Sequence, residues 1–274
     1  MGRKIEAVIF DWAGTTVDYG CFAPVQAFVA AFEEYGITPT LDEVREPMGM
    51  LKRDHIRTMM NMERIHEEWK RVHGRDFTEE DVEQVYLTSE KSLLKIVNQF
   101  ADPKPHVLET VKILREKGIK IGSTTGYTDE MMEIVVPEAA KKGYSPDCWF
   151  SPNSVGNFGR PYPYMIFENL KKLEVTSVAA AVKVGDTVSD IKEGLAAGML
   201  SLGIVEGSSV MGLTEAEYAA LSQEEQADRC RKVEEKFLAA GANVNHFFTL
   251  LGKMFFTPYG KEFFTYLSKQ IFTS

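Results

Sequence analysis

The sequence predicts an α/β fold, a doubly wound parallel sheet with a helical cap domain inserted after its first strand. Three observations lead to this prediction. The apolar run at residues 5–10 is typical of a buried strand, a long stretch with helical periodicity follows it, and strands then alternate with helices from about residue 103 onwards. We expect residues 1–19 and 99–274 to form the α/β core and residues 20–98 to form the cap.

The individual elements follow from apolar periodicity and from residues that begin or end helices. In the cap, apolar residues share one face over residues 24–35, and Thr78 before three acidic residues is typical of a helix N-cap. No strand is expected between residues 20 and 98. In the core we expect strands at 119–124, 148–150, 178–184 and 200–205, and helices at 107–117, 129–142, 163–173 and 191–197.

Composition restricts the class of protein. The 274 residues are 44% hydrophobic and 26% charged, as is usual for globular proteins. A net charge of −9 argues against nucleic acid as a partner, because such binders need clustered Lys and Arg. The three cysteines include no CxxC pair, which argues against disulfides and zinc and favours a cytoplasmic location. The N-terminal apolar run is too short to span a membrane.

Polar residues follow three of the predicted strands. Asp11, Thr125 and Asp186 stand at strand ends, and the carboxyl ends of parallel strands meet at one edge of a sheet. Asp190 would share a helical face with Asp186 if a helix began there. One such Asp is more often a helix cap, but two at separate strands together with Asp190 favour a site. Their oxygens suit a hard cation such as Mg²⁺.

Three ordered motifs carry a family resemblance. The segments DWAGTT (11–16), STTG (123–126) and GDTVSD (185–190), with a helical insert after the first, resemble the haloacid dehalogenase superfamily up to about residue 205. This resemblance implies a Rossmann-like core and Mg²⁺-dependent phosphoryl transfer through an aspartyl-phosphate.

The resemblance also assigns roles to individual residues. It implies that Asp11 is the nucleophile. Asp11, the Ala13 carbonyl and Asp186 would bind Mg²⁺, and Asp190 would support these ligands without binding the metal itself. Thr125 would hold a phosphoryl oxygen. Arg160, in the region where the family usually has a Lys, would neutralise the phosphoryl charge, since its planar fork pairs with phosphoryl oxygens; a surface arginine is the alternative.

Two departures from most phosphatases of this superfamily point to one of its branches. Ala13 replaces the Asp that protonates a leaving alcohol, and the cap contains PMGMLKRDH (47–55). Both features resemble the phosphonatase branch, whose members cleave the C–P bond of phosphonoacetaldehyde to acetaldehyde and phosphate. A helix beginning near Pro47 would place Met48, Lys52 and His55 on one face, and Gly49 would let the backbone approach a ligand.

The resemblance implies that Lys52 forms an imine with the aldehyde, so that an enamine leaves and no acid is needed at position 13. A desolvated pocket of Met48, Met50 and Trp12 would favour the neutral amine. From composition alone Lys52 is a solvated helix lysine. His55 would relay protons or lie on the cap surface. Cys21 and Tyr127 would line the pocket, with core packing the alternative for Cys21.

The sequence therefore predicts a phosphonatase that acts on a small phosphonate, with a homodimer implied by the resemblance. A sugar-phosphate phosphatase or phosphomutase of the same superfamily is the alternative, and Ala13 disfavours it. A non-catalytic phosphate-sensing module is a second alternative, supported only by the aromatic residues of the C-terminal stretch (about 245–274), for which we have no functional account.

Overall fold

The computed structural model describes residues 5–48 and 50–245. Its six strands form one parallel sheet in the order β3-β2-β1-β4-β5-β6. The strands are β1 (Ala7–Phe10), β2 (Lys120–Thr124), β3 (Cys148–Phe150), β4 (Ala181–Gly185), β5 (Leu200–Gly203) and β6 (Val244–Asn245). The helices are α1 (Phe22–Glu34), α2 (Leu41–Arg45), α3 (Lys52–Asn61), α4 (Glu63–His73), α5 (Glu79–Ile96), α6 (Val107–Glu116), α7 (Asp129–Lys141), α8 (Tyr164–Lys172), α9 (Val188–Ala196), α10 (Glu215–Ala220) and α11 (Gln223–Ala239).

The central strand β1 fixes the geometry of the functional edge. All four of its residues are buried, as expected for a parallel strand covered on both faces. It pairs with β2 and β4 so that Phe10 lies opposite both Ser123 and Val184. Because the three strands end in register, the segments that follow them leave the sheet at the same edge. The predicted parallel α/β fold is confirmed.

The segment between β1 and α6 contains α1 to α5, and no strand occurs in its described part. These helices share a hydrophobic cluster that includes Phe28, Phe32, Ile56 and Trp69. Thr78 caps α5 as predicted, in a reciprocal arrangement with Asp81. The helix α5 also packs on α7 of the core. The division into a core and a cap over residues 20–98 stays a prediction.

Some boundaries differ from the predictions. The strand predicted at 178–184 begins at Ala181, because Val178–Ala180 forms a 3₁₀ turn. The helix predicted at 191–197 begins earlier, at Val188, where Thr187 caps it. The helices α10 and α11 were not predicted. The aromatic stretch beyond residue 245 lies outside the described residues. Within the part of the chain that is described, no helix has the length and apolar character needed to cross a membrane.

Candidate active site

Three carboxylates meet at the edge where β1 and β4 end. Asp11 follows β1, Asp186 follows β4, and Asp190 lies in the first turn of α9. One oxygen of each lies within 4.8 Å of the others, and all three residues are buried. The expectation that Asp186 and Asp190 share a helical face is wrong, because α9 begins only at Val188. The two side chains come together instead because Asp186 directly precedes the N-cap of that helix.

Asp186 is held beside the loop that follows β1. Its Oδ1 accepts a hydrogen bond from the Thr15 hydroxyl (3.1 Å) and its Oδ2 accepts one from the Ser209 amide (2.7 Å). Gly14, at φ +85°, makes room for it, since a Cβ there would lie 2.1 Å from the Asp186 Oδ2. Burial, together with Asp11 and Asp190, raises the pKa of Asp186 to about 7. This crowding of buried negative charge is what a bound cation would relieve.

Asp190 forms ion pairs with two cationic side chains and caps the helix α9. Its Oδ1 lies 2.7 Å from the Lys183 Nζ and 3.2 Å from the Arg160 Nη1, and its Oδ2 caps α9 through Thr187. Burial acts to raise the pKa of Asp190, but Arg160 and Lys183 outweigh it and hold the pKa below its ordinary value. Asp190 therefore caps α9, and its support of a metal held by other residues stays a prediction.

Arg160 joins the nucleophile candidate to this network. Its Nη2 lies 2.5 Å from the Asp11 Oδ1 and 3.1 Å from the Thr124 hydroxyl, and its Nε lies 3.1 Å from Glu193. Although burial opposes the charged form, Asp11, Asp190 and Glu193 raise the pKa of Arg160 well above its ordinary value. Arg160 is therefore a buried, permanently charged fork and not a surface arginine.

Two buried residues of this network were not predicted from the sequence. Lys183 and Glu193 are both fully buried and lie 3.4 Å apart, and Glu193 also accepts a hydrogen bond from Thr124. A lysine in the middle of the buried strand β4 is a signal that could have been recognised, because such a charge needs a partner. Glu193 carries no comparable signal, since it stands in an ordinary amphipathic helix.

The residues present suit a divalent cation such as Mg²⁺. Asp11 and Asp186 supply hard oxygen donors at one point, and the Thr15 and Ser209 hydrogen bonds orient Asp186. Ala13 lines the adjacent cavity and is only partly buried; that its carbonyl is a metal ligand stays a prediction. The two close carboxylates and the raised pKa of Asp186 are the observations that favour a bound cation.

A cavity of about 120 Å³ opens next to Asp11 and lies between the core and the helical insert. Its core side includes Asp11, Ala13, Thr125, Tyr127 and Arg160. Its other side comes from the insert and is mainly apolar, with Cys21, Pro24, Phe28, Met48, Met50, Leu51, Lys52 and His55. The space therefore has a charged end and an apolar end that carries one amine. Gly49 lies outside the described residues.

Lys52 enters this cavity from the first residue of α3. The predicted helix from Pro47 is wrong, because Pro47 and Met48 form a turn and Leu51 is extended before the helix begins. Met48, Lys52 and His55 nevertheless line the same cavity. The Lys52 Nζ lies 2.5 Å from Glu90, 3.5 Å from the Met131 sulfur and 6.0 Å from the Tyr127 ring centre. The Lys52 side chain is only 18% exposed, so it is not a solvated helix lysine.

His55 is a buried, neutral imidazole. Its ring stacks on Phe28 at 4.1 Å between centres, and burial lowers its pKa to about 3. Its Nε2 has no hydrogen-bond partner among the described residues. Because the backbone of Val44 serves as partner for the ring, Nε2 is the ring nitrogen that is left without a partner in the described structure. The cap-surface alternative for His55 is therefore wrong.

The remaining predicted pocket residues are buried and uncharged. Burial and the nearby Asp18 raise the pKa of the Cys21 thiol, and burial raises the pKa of the Tyr127 hydroxyl. The Tyr127 hydroxyl has no partner in the described structure, and the Tyr127 amide donates to the Thr125 hydroxyl at 3.0 Å. Trp12 does not line the cavity but packs edge-on against Tyr144 in the core, so its expected place in the pocket wall is wrong.

The fold and the site together define the class of protein. The family model of haloacid dehalogenase-like hydrolases matches residues 5–198, and the chain belongs to that family. The resemblance read from the three motifs is thereby confirmed.

Individual relatives narrow the assignment. The phosphonoacetaldehyde hydrolase of Lysinibacillus sphaericus is 56% identical over 240 residues, covering 88% of this chain and 89% of that protein. That of Parabacteroides distasonis is 51% identical over 242 residues, covering 88% and 91%. The crystal structure of a phosphonoacetaldehyde hydrolase-like protein from Oleispira antarctica has a TM-score of 0.86 and 36% identity, covering 92% of this chain and 93% of that one. The chain belongs to the phosphonoacetaldehyde hydrolase family.

Proposed function

We propose that this protein hydrolyses phosphonoacetaldehyde to acetaldehyde and phosphate. One observation carries the proposal: a single small cavity is lined by Asp11 from the core and by Lys52 from the helical insert. The names of the relatives support this reaction over phosphate-ester hydrolysis of a sugar phosphate. The partly buried Ala13 supports it as well, because it offers no acid to a leaving alcohol.

The charged end of the cavity receives the phosphonate. Arg160 neutralises its oxygens with a fork that Asp190 and Glu193 hold in place, and the Thr125 hydroxyl donates to another oxygen. Asp11 then attacks phosphorus and becomes an aspartyl-phosphate, which water later hydrolyses. Asp11, Asp186 and the Ala13 carbonyl would hold Mg²⁺, which supplies charge neutralisation at the phosphoryl group when bound.

The amine end of the cavity receives the aldehyde. Lys52 adds to the carbonyl carbon, and water leaves to give a protonated imine. When Asp11 attacks phosphorus, the electrons of the C–P bond move into the imine and neutralise its nitrogen, so an enamine departs rather than a carbanion. Protonation of the enamine carbon and hydrolysis of the imine then release acetaldehyde and restore Lys52.

Neutral groups around Lys52 support these proton transfers. His55 begins each turnover as a neutral imidazole, because burial lowers its pKa to about 3, and it would hold a relayed proton on Nε2 only transiently. Tyr127 keeps its proton and can donate to the carbonyl oxygen. Met48 and Cys21 shape the pocket around the short carbon chain. We also propose that the chain acts as a cytoplasmic homodimer. Light scattering of the purified protein would test the oligomeric state.

The decisive experiment measures acetaldehyde and phosphate release together with borohydride trapping. The native chain should release the two products in equal amounts and give a reduced adduct on Lys52. Lys52→Arg should lose the adduct and turnover, whereas Asp11→Asn should keep an adduct that retains the phosphonate and lose turnover by on the order of 10³-fold or more. Turnover by Lys52→Arg at the native rate would refute the imine route.

A further inference from the structure

Lys52 has a close anionic partner to which the proposed reaction assigns no part. Glu90, on α5, places Oε1 2.5 Å from the Lys52 Nζ, and the two side chains are only 14% and 18% exposed. The nearest other cation on α3, Arg53, is engaged by Glu83 through two hydrogen bonds. Glu90 is therefore paired with the nitrogen that becomes the imine nitrogen.

The surroundings make this pairing electrostatically important. The Met131 sulfur, on α7, lies 3.5 Å from the Lys52 Nζ. On this side the charge pair therefore contacts a weakly polar side chain instead of water. Charges in such an environment interact more strongly than on an open surface. The other titratable or charged groups facing the pair are Tyr86 on α5, Arg53 and His55 on α3, Cys21 before α1, Tyr127 after β2, and Asp11 and Arg160 across the cavity.

We propose that Glu90 is the counter-ion of the Lys52 nitrogen throughout imine chemistry. The Lys52 ammonium and the protonated imine both carry one positive charge, and two of the three ammonium protons leave with the carbonyl oxygen as water. Glu90 takes the first of these protons before the amine adds to the aldehyde and passes it on to the carbinolamine oxygen. It then pairs with the protonated imine and keeps it protonated until the C–P bond breaks. This inference rests on the proposed function.

The sign of the effect is fixed by electrostatics. An anion beside a cationic nitrogen stabilises its protonated form. Glu90→Gln removes the charge and keeps the shape. We therefore expect two pH profiles of Glu90→Gln to move to lower pH by about 1 unit or more. One is the acidic limb of kcat/KM, which depends on the free amine. The other is the alkaline limb of imine trapping, which depends on the protonated imine.

Trapping is best measured with phosphonoacetaldehyde and borohydride in an Asp11→Asn background, where the imine is not consumed. Glu83→Gln, also on α5 and also in a pair with an α3 cation, is the matched control and should superimpose on the parent. Glu90→Asp, with its charge withdrawn by one methylene, should shift in the same direction by less. If Glu90→Gln fails to fold, Glu90→Asp still tests the role of Glu90.

The outcomes separate the two proposals. If the Asp11→Asn parent gives no Lys52 adduct at any pH, the imine route itself is refuted. If the parent gives the adduct but the pH profiles of Glu90→Gln and Glu90→Asp coincide with it, the imine route stands and the role of Glu90 is overturned. Profiles that shift acidward in both Glu90 variants and not in Glu83→Gln establish the counter-ion.

Discussion

The neutral state of His55 has a consequence for stability that can be measured directly. Burial lowers the pKa of His55 from 6.5 to about 3, so between these values the unfolded chain binds a proton that the folded chain does not. Stability therefore falls as the pH drops below about 6.5 and continues to fall until about pH 3. Each pH unit within this window costs about 1.4 kcal/mol, so lowering the pH from 7.5 to 5 costs about 2 kcal/mol from His55 alone.

The assay is urea unfolding of the native chain and of His55→Gln at pH 7.5 and pH 5, both in chelator. His55→Gln should be less stable at pH 7.5, because it loses the stacking on Phe28, and the gap should close by about 2 kcal/mol at pH 5. The exposed His106, replaced by Asn, is the control and should leave the pH dependence unchanged. An equal gap at both pH values would refute a buried neutral His55 and the proton-accepting role built on it.

Three further outcomes follow from the charged end of the site. Arg160→Lys should lower kcat/KM by about 10²-fold, because a single ammonium group cannot bind three carboxylates and a phosphonate as the arginine fork does. Arg115→Lys, at an exposed pair with Asp147, is the control and should leave kcat/KM unchanged. Equal losses in both variants would contradict the argument. Gly14→Ala should raise the Mg²⁺ concentration for half-maximal activity by about 10- to 100-fold, whereas Gly118→Ala, which also has positive φ but open space around it, should leave it unchanged. Chelation should abolish phosphate release while imine trapping at Lys52 persists; loss of both would place the metal in the aldehyde chemistry.

The positions of the strand-end residues could be predicted because they depend on local sequence and on one general property of parallel sheets. Asp11 and Asp186 each end a short apolar strand, and neighbouring parallel strands bring their carboxyl ends together. The same reasoning correctly placed Thr125. The start of α3 could not be predicted in this way. Pro47 is acceptable at the first position of a helix, but the chain turns there and Lys52 is the first helical residue.

The partners of the charged residues could not be predicted, because they come from distant parts of the chain. Glu90 follows Lys52 by 38 residues and Met131 follows it by 79. No periodicity links residues on different helices, and which surface positions face each other is decided by how α3, α5 and α7 pack. The sequence therefore indicates which groups need a partner, such as a lysine in a buried strand, but it does not identify the partner.

The loss of an acid at position 13 and the presence of an amine at position 52 have one chemical cause. Ala13 and Lys52 line the same cavity as Asp11, and the carboxylate of Asp11 already lies close to those of Asp186 and Asp190. A fourth carboxyl group at position 13 would add to the repulsion that raises the pKa of Asp186. A carboxyl group at position 13 would contribute to catalysis only if a leaving alkoxide needed a proton. In the proposed reaction the imine nitrogen takes up the electrons instead, so the role of the missing acid passes to Lys52 on the opposite wall of the cavity.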